Sequence, residues 1–211
     1  MRNLLVLGAT GAIGRAFVAR ALADLPTVRV VAWARPASRA KLADLAHARL
    51  DVRGVDVGRG EPRPEDWPEP LAAVVNCMGS NYVDGGAAEF WHIDHAVPLA
   101  IAREAHRRGC PTFVLLSALG AHRGSPLLFL RTKGVLADDL AAVGFARLRI
   151  LRPPFVSDST VPRAWYERAA LRLNLALAPL MRGPLAGLRP MTCDQVAQDL
   201  VRATGLDRDR A

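Results

Sequence analysis

Lysine is nearly missing from this chain. Of 28 basic residues only Lys41 and Lys133 are lysines, so arginine carries the formal charge of +8. The arginines stand singly, with only Arg107 and Arg108 adjacent, and form no basic stripe of the kind that follows a nucleic-acid backbone. A general preference for anionic small molecules fits this distribution, and no nucleic acid is expected as a partner. Cysteine is sparse too: Cys77, Cys110 and Cys193 lie far apart, without a C-x-x-C pair or histidines at metal-ligand intervals. They read as reduced, buried thiols, and no metal site is expected. Long apolar runs are also lacking, since none reaches the about eighteen residues that span a bilayer. The short apolar run at the start leads into a glycine turn rather than a small-residue cleavage site. A cytoplasmic protein without membrane attachment is the expectation. Repeats and low-complexity segments are absent as well.

What the chain does have is 211 residues with 51% hydrophobic content, enough for one substantial core. A single domain over 1–211 is expected, with a small cap segment at 158–190. Residues 3–14 read NLLVLGATGAIG, an apolar run that ends at Gly8 and resumes as a helix after a G-x-x-G-x-x-G turn. A strand buried on both faces must turn sharply there, and Gly8 permits dihedrals that a Cβ excludes. Gly11 leaves bare backbone beside Thr10, Gly14 lets the helix lie close to the strand, and the amides of Ala12 and Ile13 sit at the positive end of the helix dipole. Those features suit a pyrophosphate, although the glycine spacing is one residue longer than G-x-G-x-x-G.

Strand and helix signals alternate through the first 150 residues: strands at 28–33, 51–57, 71–76, 112–117 and 146–151, helices at 12–23, 38–48, 87–108 and 126–143. Pro98 must kink the third helix or start a new turn. This rhythm predicts an α/β fold, a doubly wound parallel sheet of order 3-2-1-4-5-6, with ligands at the carboxyl edge of the strands. A basic, apolar-faced stretch at 162–181 with Trp165 and Tyr166 forms the small C-terminal helical cap. The terminal helix at 192–203 starts from Thr192 or Asp194 as N-cap.

An NAD-preferring site places an acid at the end of the second strand, about twenty residues past the glycines, to accept from the ribose hydroxyls. Arg35 stands there instead, with Arg15 and Arg39 within reach of the same corner. A guanidinium can grip a 2′-phosphate through two hydrogen bonds, which favours NADP over NAD. Asp56 is placed to accept from the adenine amino group, with Val57 packing the ring.

GATGAIGR at 8–15, NCMGS at 76–80, FWHIDHAVPLAIAREAHRRG at 90–109, FVLLSALGAHRGSPLLFLRTKGVLADDL at 113–140 and LRILRPPFV at 148–156 together carry a resemblance. The chain resembles the short-chain dehydrogenase/reductase superfamily of Rossmann-type proteins. The likeness is to its atypical branch, with epimerase-like and NmrA-like members and small proteins related to human Tat-interactive protein 2. The resemblance implies a cofactor wall that includes Cys77, Met78, Gly79, Lys133, Pro153 and Phe155. It also implies a catalytic Ser, here Ser117, and a Tyr four places before a Lys, here Lys133. The Tyr gives or takes a hydroxyl proton, the Lys lowers its pKa and the Ser polarises a carbonyl. At the Tyr position stands Phe129, which has no proton to give.

Three readings follow. An acceptor such as a quinone, a flavin or another conjugated ring can draw its proton from water. Tyr82, Tyr166 or His122 can replace the phenol, Tyr82 being the residue set beside Ser117 and Lys133. Alternatively, the protein binds the nucleotide without turnover and reports its redox state. An oxidoreductase using NADP(H) and a small-molecule substrate leads, with Trp91, Phe155 and Trp165 placed to face a flat substrate. Sugar-nucleotide epimerisation or dehydration ranks third, and a monomer or homodimer is expected.

Overall fold

A computed structural model of the protein describes residues 1–80, 82–158 and 189–207, with backbone alone for 82–85. Six strands, β1 (Arg2–Leu7), β2 (Val28–Ala34), β3 (Leu50–Gly54), β4 (Leu71–Asn76), β5 (Thr112–Leu116) and β6 (Arg147–Leu151), form one sheet. All pair in parallel in the order β3-β2-β1-β4-β5-β6, as the alternation predicts. The helices are α1 (Ala12–Asp24), α2 (Tyr82–Trp91), α3 (Val97–Arg107), α4 (Leu128–Ala141) and α5 (Cys193–Thr204).

The central strand explains why the pattern reads as an unbroken apolar run. Successive side chains of β1 go to opposite faces, and both faces are covered. Leu4 and Val6 pack with Phe17 and Val18 of α1 and Leu200 and Val201 of α5. Leu5 and Leu7 join Ile101 of α3, Phe113 of β5 and Leu136 of α4 on the other side. Burying such side chains contributes about 1.5–3 kcal/mol each, which is why β1 holds the middle of the sheet.

Helix ends are secured by particular side chains. Thr192 caps α5, accepting from Gln195 N–H while the Gln195 side chain accepts from Thr192 N–H, and Gly205 closes the other end in the left-handed region. Of the two predicted caps it is therefore Thr192; Asp194 pairs with Arg20 at 2.5 Å. At the far end of α1, Arg49 donates to the carbonyls of Leu22 in the last turn, Leu25 at the C-cap (2.6 Å) and Val28 at the start of β2 (3.0 Å), tying the helix end to the next strand.

Three elements differ from expectation. The segment predicted as a helix at 38–48 is a 3-10 helix over Pro36–Leu45. It buries only Ser38 and Leu42, so packing gives little reason to adopt the wider α geometry. Strand β3 stops at Gly54 rather than at 57, although Val55 N–H still bonds to the carbonyl of Ala34 at 3.0 Å. The single helix expected at 87–108 is α2, a π-helical turn at His92–Ala96 and α3. Pro98 falls in the first turn of α3, directly after the π turn, so the hydrogen bond it cannot make falls at that junction rather than inside α3. The wide turn before it carries Asp94 and His95 inward, and both are buried. The expected cap helix at 162–181, with Trp165 and Tyr166, lies outside the described residues, as does most of the turn at 183–190. Among the described residues no helix is long and apolar enough to cross a membrane.

Candidate functional site

The turn after β1 is built by close backbone contacts. Gly8 has φ +71°, and a Cβ on it would lie 2.6 Å from the carbonyl carbon of Cys77 and 2.7 Å from Met78 N. The end of β1 and the loop after β4 therefore touch backbone to backbone, and Cys77 N–H donates to the Leu7 carbonyl at 2.9 Å. A Cβ on Gly14 would sit 2.1 Å from the Gly8 oxygen, so α1 starts directly against the turn. Gly11 differs: it is exposed, and its Cβ would meet only the Gly8 oxygen, at 3.4 Å.

Gly11 is the N-cap of α1, and no side chain caps that end or places an acid in its first turn. Among the described residues, the amides of Ala12 and Ile13, beside half-buried Thr10, have no side-chain acceptor at the positive end of a 13-residue helix. The residues fit a pyrophosphate: bare donors stand before a surface kept clear of side chains, in a cradle that a Cβ at Gly8 or Gly14 would destroy.

The adenine-side candidates gather at the neighbouring strand ends. Trp33 pairs with Leu7 in register, so Arg35, exposed immediately after β2, stands one strand over from Gly8. Arg15 donates to both carboxylate oxygens of Asp44 and to the Lys41 carbonyl at 3.0 Å, so a phosphate would compete with Asp44 for it. Arg39 reaches toward Gly54. Asp56 Oδ1 accepts from Gly58 N–H at 3.3 Å in a turn after β3, and Val57 is partly buried. A pocket of about 420 Å³ between Pro36, Arg39, Leu42 and Val52 opens on this β3 edge, whereas Ser117 follows β5.

On the other half of the edge, three elements converge. Lys133, buried on α4, lies with Nζ 3.4 Å from Asp94 Oδ1 and 5.4 Å from the centre of the Phe129 ring. Asp94 Oδ2 accepts from Ser80 N–H at 2.8 Å and from Ser80 Oγ–H at 2.6 Å. A Cβ on Gly79 would lie 3.7 Å from Asp94 Oδ1 and 4.0 Å from Lys133 Nζ. Burial pushes the Cys77 thiol up to about 12, with the Lys133 ammonium pulling it down by less. The thiol stays protonated at neutral pH.

Ser117 is buried, and its hydroxyl has no hydrogen-bond partner among the described residues, so it is not spent on capping the strand. Its N–H donates to the Leu151 carbonyl at 2.7 Å, which ties the end of β5 to β6 ahead of Pro153. Phe129 and Phe155 are 43% and 41% exposed, presenting ring surface beside this edge.

The alternative acids are placed less informatively. The Tyr82 side chain and all of Tyr166 lie outside the described residues, as does Trp165. The His122 ring is exposed, and the His122 backbone passes so close to α4 that a Cβ on Gly134 would sit 2.2 Å from it. Trp91 stacks on His95 at 4.2 Å, which accounts for one of the aromatic residues assigned to a flat substrate. Asp94 is a residue that sequence reasoning did not single out. The available signal was an acid within the apolar-periodic stretch at 90–102.

Residues 4–125 match the NAD dependent epimerase/dehydratase family. Protein FMP52, mitochondrial, of Eremothecium gossypii is 31% identical over 159 residues, covering 72% of this chain and 65% of that protein. The matched part thus spans a little under two thirds of that relative. A putative NAD-dependent epimerase/dehydratase from Bacillus halodurans has the same fold, with a TM-score of 0.69 at 21% identity over 98% of this chain and 89% of that one. So does a tyrosine-to-phenylalanine form of ElxO solved with NADPH bound, at 0.66 and 15%, over 100% and 94%.

The expected cytoplasmic location is overturned by the relatives' names, which place FMP52 proteins of Eremothecium gossypii, Aspergillus fumigatus and Saccharomyces cerevisiae in mitochondria. Short apolar runs and three scattered cysteines do not specify a compartment. With its sheet order, glycine cradle and matched residues taken together, the chain belongs to the NAD dependent epimerase/dehydratase family.

Proposed function

We propose that the protein binds NADP(H) along the carboxyl edge of the sheet and serves the reduction of a flat, conjugated acceptor such as a quinone or flavin. The observation that carries the reading is the uncapped start of α1 behind the Gly8, Gly11 and Gly14 cradle. Amides there bind the pyrophosphate, and Arg35 grips the 2′-phosphate, with Arg15 a further donor if Asp44 releases it. Asp56 and Val57 hold the adenine, and Lys133 donates to ribose hydroxyls beside Cys77, Met78 and Gly79. Pro153 and Phe155 close the wall after β6. The nicotinamide, when bound, supplies the two-electron chemistry.

The Ser117 hydroxyl, without a partner among the described residues, is read as donating to an acceptor oxygen, where a directed hydrogen bond stabilises developing charge. Phe129 presents a ring without a proton, which favours acceptors protonated by water and disfavours epimerisation, the chemistry in the family's name. ElxO retains NADPH in a tyrosine-to-phenylalanine form, in keeping with cofactor binding that needs no phenol. The partner is read as a small molecule, in a monomer or homodimer, with no role for nucleic acid or membrane. Stopped-flow absorbance at the NADPH band, with menadione, FMN and a ubiquinone analogue as acceptors, tests the reading. Catalytic NADPH oxidation is expected with at least one of them. A protein that binds NADPH firmly and turns over none is a nucleotide-binding regulator, the second reading, which the missing proton donor at Phe129 favours.

A further inference from the structure

One carboxylate ties together the π turn, α4 and the loop after β4. The Asp94 side chain is shut off from solvent, with Oδ1 toward Lys133 Nζ at 3.4 Å and Oδ2 accepting twice from Ser80. Gly79 runs beside the pair closely enough that its Cβ would be 3.7 Å from Oδ1. Burying a charge is costly unless it is paired and hydrogen-bonded: Oδ2 is hydrogen-bonded by Ser80, whereas Oδ1 has the ion pair with Lys133 and no hydrogen bond among the described residues. Its partners are Lys133, read above as part of the cofactor wall, and Ser80, which follows Gly79 of the same wall. The adjacent His95 does not share this role, since its Nε2 pairs with Asp139 at 2.7 Å. Among the described residues the Cys77 thiol is a further titratable group beside the pair, and it feels the Lys133 charge.

Building on the nucleotide reading above, we propose that Asp94 is a positioning residue for the nicotinamide half of NADP(H). Its two oxygens fix the Lys133 ammonium and the Gly79–Ser80 backbone at one spacing, so donors for ribose and nicotinamide are set before the cofactor arrives. Preset donors lose less freedom on binding, which is how a residue that never touches a ligand changes its affinity. The adenine half, held across the β1–β2 ends, is independent of Asp94.

The test is titration of the full-length protein with NADPH and with 2′,5′-ADP, which carries the adenine half alone. Asp94→Asn is expected to weaken NADPH about tenfold, the scale of one charge-assisted contact, and to leave 2′,5′-ADP within about twofold. In a Lys133→Met background the same change is expected to cost little further for NADPH, because asparagine keeps an oxygen for Ser80 and what it loses is the ion pair with the lysine. Unchanged NADPH binding, equal losses for both ligands, or losses that multiply independently of Lys133 would overturn the proposal. If Asp94→Asn does not fold, Ser80→Ala, which removes one hydrogen bond to the carboxylate, is expected to weaken NADPH about threefold and 2′,5′-ADP not at all. No selective loss there counts against the proposal equally. Wild-type protein that binds neither ligand would refute the nucleotide reading instead.

Discussion

Gly14→Ala is expected to nearly abolish NADPH binding and to destabilise the fold together. The added methyl would stand 2.1 Å from the Gly8 carbonyl oxygen and 3.0 Å from Ala9 Cα, both backbone, so no side chain can swing aside. Either α1 withdraws from β1, opening the packing of Phe17 and Val18, or the turn deforms. Overpacking of this kind costs about 3 kcal/mol, visible as a lower denaturation midpoint. Displacing the α1 amides from the anion is expected to leave NADPH binding too weak to saturate in a fluorescence titration. Gly11→Ala separates the two effects. Its methyl meets only one atom, at 3.4 Å, and otherwise points into open space, so stability should fall by under about 1 kcal/mol. NADPH binding should still be lost, because that open space is where the pyrophosphate is read to lie. A Gly11→Ala protein that binds NADPH normally would place the anion elsewhere.

Arg35→Glu is expected to reverse the preference between NADPH and NADH. Arg35 stands exposed at the end of β2, and a phosphate gripped by it gains about 2 kcal/mol from charge-assisted hydrogen bonds, or about 30-fold in affinity. A carboxylate in its place repels the 2′-phosphate and accepts from ribose hydroxyls. Competition titrations with the two reduced cofactors read the change directly. If the ratio of affinities is the same before and after the substitution, Arg35 has no part in cofactor choice. Arg15 is a weaker candidate for the same role, since Asp44 already occupies its guanidinium.

What could be read from the sequence follows from which forces act locally. Parallel strands buried on two faces must be continuous apolar runs, so β1, β4 and β5 and the whole strand order were legible. The glycine turn was legible because only glycine tolerates the positive φ at Gly8 and the contact at Gly14. Thr192 was one of two legible caps because a hydroxyl there satisfies an amide three residues on. Asp94 was not legible in the same way. Its meaning depends on Lys133, 39 positions away, and on a π turn that rotates it inward, and neither is a local signal. The 3-10 segment at Pro36–Leu45 escaped for a related reason: its sequence allows a helix, and sparse tertiary packing decides which kind.

Isothermal titration of the folded protein with NADPH reads whether the amides at the start of α1 hold a phosphorylated dinucleotide. Saturable heat is expected, with about one nucleotide per chain and a dissociation constant on the order of micromolar. Protein with an intact unfolding transition that gives no heat with NADPH, NADP+, NADH or NAD+ would contradict that placement.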